Sequence, residues 1–432
     1  MNQLTRRQFL AAAGGTGAAL WLGACGGGSS GSSDPMKGTL EFVTWGGPAE
    51  IKAFEAIISD FEDQNPGARI RLQETPFNEV RQTVDSSLEA EQGPDLFRVT
   101  YTDFGFYAAS NVLIDLSEYL PSDFSNVFTE GLRAAVEFEG APYGVPHHTD
   151  VSAIVYNKDL FQAAGIGALP DRLEDAWSWD EFLDVSRRLR DAQTGNRTAF
   201  GMNWQLAGAF RWLNWLYAAG GSLYNSDATR TTVDSPEARK TLDMFKTWFE
   251  EDLCPDNTSL KGSYVDLIFP AQTIAMISAG SFLVPTLEAD ITRFEYGTTY
   301  LPQDVGMSTD LGGNAVVATQ QTEKPELAAK FLEFLVNQKN MKRFCEATNL
   351  LPTRNDLVEQ KLDYEIRPDI MPVFVDQSTT ITPAYTRAVT VPDFTQVNNA
   401  FVDQLESFIV GDQSPEATLG NIAQEATDVV RD

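Results

Sequence analysis

An α/β fold in two lobes is what this sequence predicts, and three observations carry the prediction. Short strand-like runs alternate with amphipathic helical runs between Thr39 and Val99. The same alternation resumes at Ser152 and continues to Val336. Strands joined by helices of that length form βαβ units around a mostly parallel sheet. The third observation is size. With 432 residues, 43 % apolar and 11 % aromatic, the chain can fill sizeable cores, so global disorder is excluded.

The first 36 residues stand apart from this rhythm. No acidic residue precedes Asp34. Arg6 and Arg7 are followed by an apolar run, Ala11–Leu22, which falls short of the ~20 residues that span a bilayer. A charged start, a short apolar stretch and small residues make an export signal. Thr5-Arg6-Arg7-Gln8-Phe9-Leu10 resembles the twin-arginine export signature, and Leu22-Gly23-Ala24-Cys25 resembles a lipobox whose cysteine is acylated. The sequence thus divides into a signal over 1–24, a lipidated Cys25 with a Gly/Ser tether over 25–37, and a folded body from 38 onward. Lipid on Cys25 would anchor that body to the outer face of the membrane, firmly so only with more than one acyl chain.

Within the body, Leu40 and Phe42 alternate with polar neighbours in a strand that runs to Trp45 and breaks at Gly46-Gly47-Pro48. Ile51, Phe54, Ile57, Ile58 and Phe61 share one face of a helix over 49–63, which Asn65-Pro66-Gly67 ends. A strand around Ile70 and Leu72, a helix over 77–91 and a strand over 95–99 follow. Later come a strand at 152–156, helices over 179–190 and 236–249, a strand at 273–277 and a helix over 324–336. Trp212 and Trp215 read as mostly core.

The charge balance bounds the partners. Thirty-two basic against 61 acidic side chains give a formal charge of −29. Nucleic acid, which needs a basic footprint, is excluded. Cys254 and Cys345 are distant in sequence and lack CxxC spacing, so zinc is not expected. They form either a disulfide or two buried thiols.

Several local patterns occur together: Asn65-Pro66-Gly67, Gly93-Pro94-Asp95-Leu96-Phe97, Tyr143-Gly144-Val145-Pro146 before Ile154-Val155-Tyr156-Asn157-Lys158-Asp159-Leu160-Phe161, Ala275-Met276-Ile277 before Gly280-Ser281-Phe282, Leu311-Gly312-Gly313-Asn314, and Leu351-Pro352-Thr353-Arg354. Together they resemble the sugar-binding family of extracellular solute-binding proteins of ABC importers, which includes maltose-binding protein. The resemblance covers essentially all of 38–432. It implies a type II periplasmic-binding-protein-like α/β fold, with a ligand cleft between two lobes and several chain crossovers. One lobe would take 38–145 plus 311–350 and the other 146–310 plus 351–432. The crossings would fall near Gly144–Pro146, Gly312-Gly313 and Leu351-Pro352. The glycines there are hinge residues or ordinary turn residues. The resemblance further implies a sugar or oligosaccharide ligand, ABC permease subunits as partners, a monomer, no cofactor and no enzymatic activity.

A sugar offers hydroxyl rims and apolar faces, so aromatic rings and polar groups after strands are the candidates. Trp45 ends the first strand, as a stacking platform or a core cap. Tyr101 and Asp103 follow the 95–99 strand, where family members carry polar sugar contacts; Asp103 reads equally as a helix cap. Asp150 lies six residues before Tyr156, where the resemblance places a sugar-binding acid. His147 and His148 are the only histidines. On an extended strand they point to opposite sides, which makes a poor metal pair and leaves His148 for the cleft. Trp204 is a second platform. Ser281 and Phe282 match the family's Gly-x-aromatic loop, with Phe where many relatives carry Trp. Gly312 and Gly313 would present backbone groups. Arg354 would bind a hydroxyl or acid, or form a surface ion pair. Phe394 lies near a C-terminal cleft aromatic of the relatives.

Two other functions remain open from the residues alone. One is a receptor for a glycerol phosphodiester or a polyamine. The other is a secreted carbohydrate-active enzyme using Asp103 and Asp150 as its acid pair. From residue 38 onward no Walker P-loop, nucleophile elbow or zincin motif occurs.

Overall fold

A computed structural model describes residues 34–192, 197–203, 206–255 and 264–431. The segment read as an export signal, Cys25 and Trp204 lie outside the described residues. The body begins slightly earlier than the sequence suggests, because Met36 already packs against the core.

Eleven strands are described: β1 (Gly38–Thr44), β2 (Ala68–Glu74), β3 (Leu96–Thr100), a short hairpin β4 (Glu137–Phe138) and β5 (Ala141–Pro142), β6 (Gly144–Asp150), β7 (Ser152–Asn157), β8 (Thr198–Met202), β9 (Ile274–Gly280), β10 (Tyr296–Thr299) and β11 (Gly312–Ala318). The longer helices are α1 (Pro48–Gln64), α2 (Phe77–Glu89), α3 (Tyr101–Ala109), α4 (Trp179–Ala192), α5 (Pro236–Glu250), α6 (Pro325–Leu335), α7 (Gln338–Thr348), α8 (Phe394–Ile409) and α9 (Pro415–Arg431). One sheet has the order β2-β1-β3-β11-β6 and the other β10-β7-β9-β8.

Local pattern explains the first lobe directly. α1 buries Phe54, Ile57, Ile58 and Phe61. Phe54 meets Phe42 of β1 edge-on at 5.5 Å. Each fully buried Phe contributes ~1.5–3 kcal/mol of transfer free energy. Gly47 starts the helix, and its N–H donates to Glu50 Oε1 at 3.2 Å. Trp212 and Trp215 are buried in the second lobe, as their spacing suggests.

Three expectations need correction. The sheets are mixed rather than mostly parallel. β1, β2 and β3 run parallel, but β11 is antiparallel to both β3 and β6. In the second sheet only β8 and β9 pair in parallel. β11 joins the first sheet only after the chain has traversed the second, and β9 and β10 reach β7 only after long intervening segments, which local periodicity cannot reveal. Secondly, the boundary expected at 145/146 falls inside β6, all of which pairs in the first sheet. The chain crosses at Asp150–Ser152 instead. Thirdly, the segment after Leu351 stays on the first lobe. Leu351 exchanges backbone hydrogen bonds with Thr149, and Thr129 N–H donates to Thr353 O at 2.9 Å.

Cys254 and Cys345 are buried free thiols, not a disulfide. Among the described residues no helix is long and apolar enough to cross a membrane.

The C-terminal helices tie the lobes together. α8 packs on α9 and also on α3 of the first lobe. Gly105 of α3 is the point of closest approach, since a Cβ there would lie 1.9 Å from Thr390 O. Gly105→Ala is therefore expected to destabilise by ~1–3 kcal/mol through overpacking. A urea midpoint equal to that of the parent would show that the Thr390 segment yields freely.

Candidate functional site

Open α/β sheets bind ligands beyond the C-terminal ends of their parallel strands. Trp45 follows β1 at that edge, Thr100 ends β3, and Tyr101 and Thr102 follow it. Together with Arg98, His148, Asp150 and Gly312–Asn314 they form one wall of a cavity of about 470 Å3. The second lobe supplies the facing wall through Asn203, Phe210, Arg211, Tyr264, Asp266 and Phe282. The volume lies in the ~300–1,000 Å3 range of small-molecule sites.

Arg98 organises the first wall. It is 2 % exposed, in the middle of an otherwise apolar strand. Its Nη1 donates to Trp45 O at 2.5 Å, and its Nη2 donates to Glu50 Oε2 at 2.6 Å. Its guanidinium lies over the Trp45 ring, 4.8 Å from the centroid. One charge thus fixes both the backbone and the face of Trp45. With the Asn314 amide oxygen turned inward, it accepts from Arg98 Nη2 and from His148 Nε2, each at 3.1 Å, while its nitrogen donates to Gly313 O at 3.0 Å.

The histidines depart from expectation. Their Nδ1 atoms lie 3.2 Å apart rather than on opposite sides. The cause is a bulge: Asn314 pairs with His148 and Ala315 with Pro146, leaving His147 as the extra residue. Burial, and secondarily Arg98, holds both imidazoles well below their ordinary pKa, so both are neutral. His147 packs between Phe54 and Phe344 and belongs to the core.

A second charged pair lies deeper. Arg211 Nε stands 3.3 Å from Asp310 Oδ2. Asp310 Oδ1 also accepts from the Ser152 N–H and from Asn214 Nδ2, both at 3.1 Å. Asp150 is different. It is 9 % exposed, and among the described residues its carboxylate has no hydrogen-bond or ion-pair partner. Burial, then the Asp310 charge, pushes its pKa up to about 7, against the pull of Arg211. Space for that carboxylate depends on glycine, since a Cβ on Gly312 would meet Asp150 Oδ1 at 2.2 Å. Gly313 adopts φ +96°, with the site of a Cβ 2.5 Å from His148 O. A side chain at either position would close this corner.

Of the residues expected in the site, the cavity brings together Trp45, Tyr101, His148, Asp150, Phe282, Gly312 and Gly313. Tyr101 is buried, and its hydroxyl donates to His148 O at 2.9 Å. The others need correction. Ser281 is fully buried beside Phe282 and does not reach the cavity, because successive residues of the turn point apart. Arg354 folds back onto Asp356 at 2.9 Å and onto Val336 O, away from the cleft. Asp103 turns toward Arg81 at 2.6 Å, and its Oδ2 accepts from the Thr100 hydroxyl at the start of α3. Phe394 is buried at the start of α8, beside a smaller neighbouring cavity.

The sequence reading missed Arg98, Glu50, Phe77, Phe210, Arg211, Tyr264, Asp266, Asn203 and Asn314. A charge inside the apolar strand Leu96–Val99 was a usable signal for Arg98. Asn314 belongs to the Leu311-Gly312-Gly313-Asn314 pattern, where nothing local marks its side chain for the cleft. The rest gave no local signal, because only folding brings them to the cleft.

A sequence model of the bacterial extracellular solute-binding protein family matches residues 46–342, well over half of the chain. The chain belongs to this family. Its members bind solutes, so this is a binding protein and not an enzyme. The diacetylchitobiose binding protein DasA of Streptomyces coelicolor is 23 % identical over 82 % of this chain and 83 % of its own. The maltodextrin-binding protein MdxE of Bacillus subtilis is 23 % identical over 88 % and 86 %. Among solved structures, the cyclic α-maltosyl-1,6-maltose binding protein of Arthrobacter globiformis superposes with a TM-score of 0.79 at 18 % identity. It covers 91 % of this chain and 99 % of that one, and the likeness establishes the α/β periplasmic-binding-protein fold. In this solute-binding protein the cleft cations Arg98 and Arg211 are already engaged by Glu50 and Asp310.

Proposed function

We propose that this solute-binding protein captures a sugar or oligosaccharide between its lobes and delivers it to an ABC permease. The observation that carries the reading is the make-up of the cleft. Aromatic rings on both walls, Trp45 and Phe77 against Tyr264 and Phe282, accompany carboxyl and amide groups that accept or donate hydroxyl hydrogen bonds. The names of DasA and MdxE, a diacetylchitobiose binding protein and a maltodextrin-binding protein, point the same way. A ligand touching both walls favours the closed clamp and shifts the population toward it, and the permease would read that closed form. An anionic phosphodiester is disfavoured, since both cleft guanidinium groups already face carboxylates.

A thermal-shift panel of neutral mono- and oligosaccharides, polyamines and glycerol phosphodiesters tests this reading. A ligand that binds only the folded state raises the melting temperature. A sugar is expected to do so. A shift with a polyamine or phosphodiester and with no sugar would overturn the assignment.

The export-signal-like start and the lipobox-like run support a body anchored outside the membrane through acylated Cys25. Cys25→Ser is expected to move the protein from the membrane fraction to the medium. Unchanged membrane partition would remove Cys25 as the anchor.

A further inference from the structure

The main cleft holds more acid than its cations balance. Arg98 is committed to Glu50 at 2.6 Å and Arg211 to Asp310 at 3.3 Å, so each guanidinium is matched by one carboxylate. His148 on the same wall is neutral, because burial and then Arg98 hold its pKa down. Two further carboxyl groups line the cavity, Asp150 and Asp266. Asn203 Nδ2 donates to Asp266 Oδ1 at 2.7 Å, and an amide brings no charge. Among the described residues neither acid has a cation within ion-pairing distance.

Asp150 is the sharper case. It is nine-tenths buried, yet it lines the cavity. Glycines rather than donors flank its carboxylate: a Cβ on Gly312 would stand 2.2 Å from Oδ1, and one on Gly280 3.5 Å from it. Carboxylates sunk this far are ordinarily paired, since an isolated buried charge is costly. A sugar hydroxyl would occupy a lone pair and leave the charge uncompensated. An ammonium brings three donors together with the opposite charge. The aromatic faces that stack a sugar ring, Trp45 and Phe77 against Tyr264 and Phe282, attract a cation as well. The formal charge of −29 draws cations toward the protein and repels anions.

We propose that the sugar taken by this cleft carries a protonated amino group, which pairs with the Asp150 carboxylate. This rests on the sugar reading above and narrows it to amino sugars. The specificity lies in charge balance: the paired arginines leave one buried acid for the ligand to neutralise, and a closed cleft around a neutral sugar lacks that counter-charge.

Calorimetry at pH 7 with matched sugars tests the pairing. The sets are glucose, N-acetylglucosamine and glucosamine, their β-1,4-linked dimers to tetramers, and the galactose equivalents of the three monosaccharides. Members of a set differ only in the group at carbon 2. Within the set that binds, the amine is expected to bind at least about tenfold more tightly than the hydroxyl and acetamido members. In Asp150→Asn that ratio is expected to fall to about twofold or less. The substitution removes an unpaired charge and keeps the shape of the side chain, so the fold is not at risk. A neutral sugar that binds as tightly as its amine in the parent overturns the ammonium and leaves the sugar reading standing. A parent-like ratio in Asp150→Asn also overturns the pairing. Binding of spermidine with no sugar, neutral or amino, overturns the sugar reading and the proposal with it.

Discussion

Replacing Asp150 by Asn will stabilise the ligand-free protein at pH 8 by up to about 4 kcal/mol, from roughly three pKa units at ~1.4 kcal/mol each. The carboxyl is pushed from 3.8 to about 7 in the fold, first by burial and then by Asp310. Arg211 and Arg98 oppose that shift, and Glu50 adds to it. Between those two values the folded protein holds a proton that the unfolded chain has released. The parent therefore loses stability as pH rises from about 4 through 7, and the loss is complete above the folded value. Asn carries no such proton. Urea unfolding of both proteins at pH 4, 6 and 8 checks this, and stability curves that stay parallel across that range would refute it. Ligand binding should move with pH in the opposite direction. A sugar hydroxyl donating to Asp150 favours the carboxylate and expels the proton, so affinity should strengthen with pH through neutrality. In Asp150→Asn it should be weaker, by about tenfold, and flat with pH.

Replacing Arg98 by Met will cost about 3 kcal/mol or more of folding stability and at least about tenfold in ligand affinity. The side chain is buried, and its loss leaves Glu50 Oε2 without its cation and takes one donor each from the Trp45 carbonyl and the Asn314 amide. The Trp45 ring also loses the cation beneath its face. Arg98→Lys keeps the charge but not the forked donor geometry, so it should fall between parent and Met. Urea midpoints and calorimetry read the two effects separately. A stability change within about 0.5 kcal/mol would mean that Arg98 organises nothing.

Much of the fold was legible before any coordinates. The faces of α1, α2 and α6 follow from spacing alone, because a helix that must bury one stripe announces it every three or four residues. The strands that begin each βαβ unit were equally plain. Sheet partners were not. Thr149 finds Gly313 and Leu351, far along the chain, and nothing in Pro146–Asp150 names them. The bulge that turns His147 inward depends on that same pairing, which is why alternation misled.

The site divides along the same line. Trp45 and Tyr101 were found because they follow strand ends, where sequence order and spatial position coincide, and Asp150 through the family resemblance alone. Asp103 occupies such a place as well, yet Arg81 on α2 draws it out of the main cleft. Ser281 and Arg354 were displaced by a turn direction and by a neighbouring carboxylate. Phe210, Arg211, Tyr264 and Asp266 come from the opposite wall, whose approach no local pattern encodes.

By itself the sequence determined the α/β class, the strand and helix faces, the acidic character that excludes nucleic acid, and the family. The class, the faces and the acidic character depend on composition and on periodicity within a few turns of chain, and the family on local motifs occurring together. Only the tertiary structure decided which charges are already paired and that Asp150 is left without a partner among the described residues. Those depend on distances between residues hundreds of positions apart, and burial rather than residue type sets their energies.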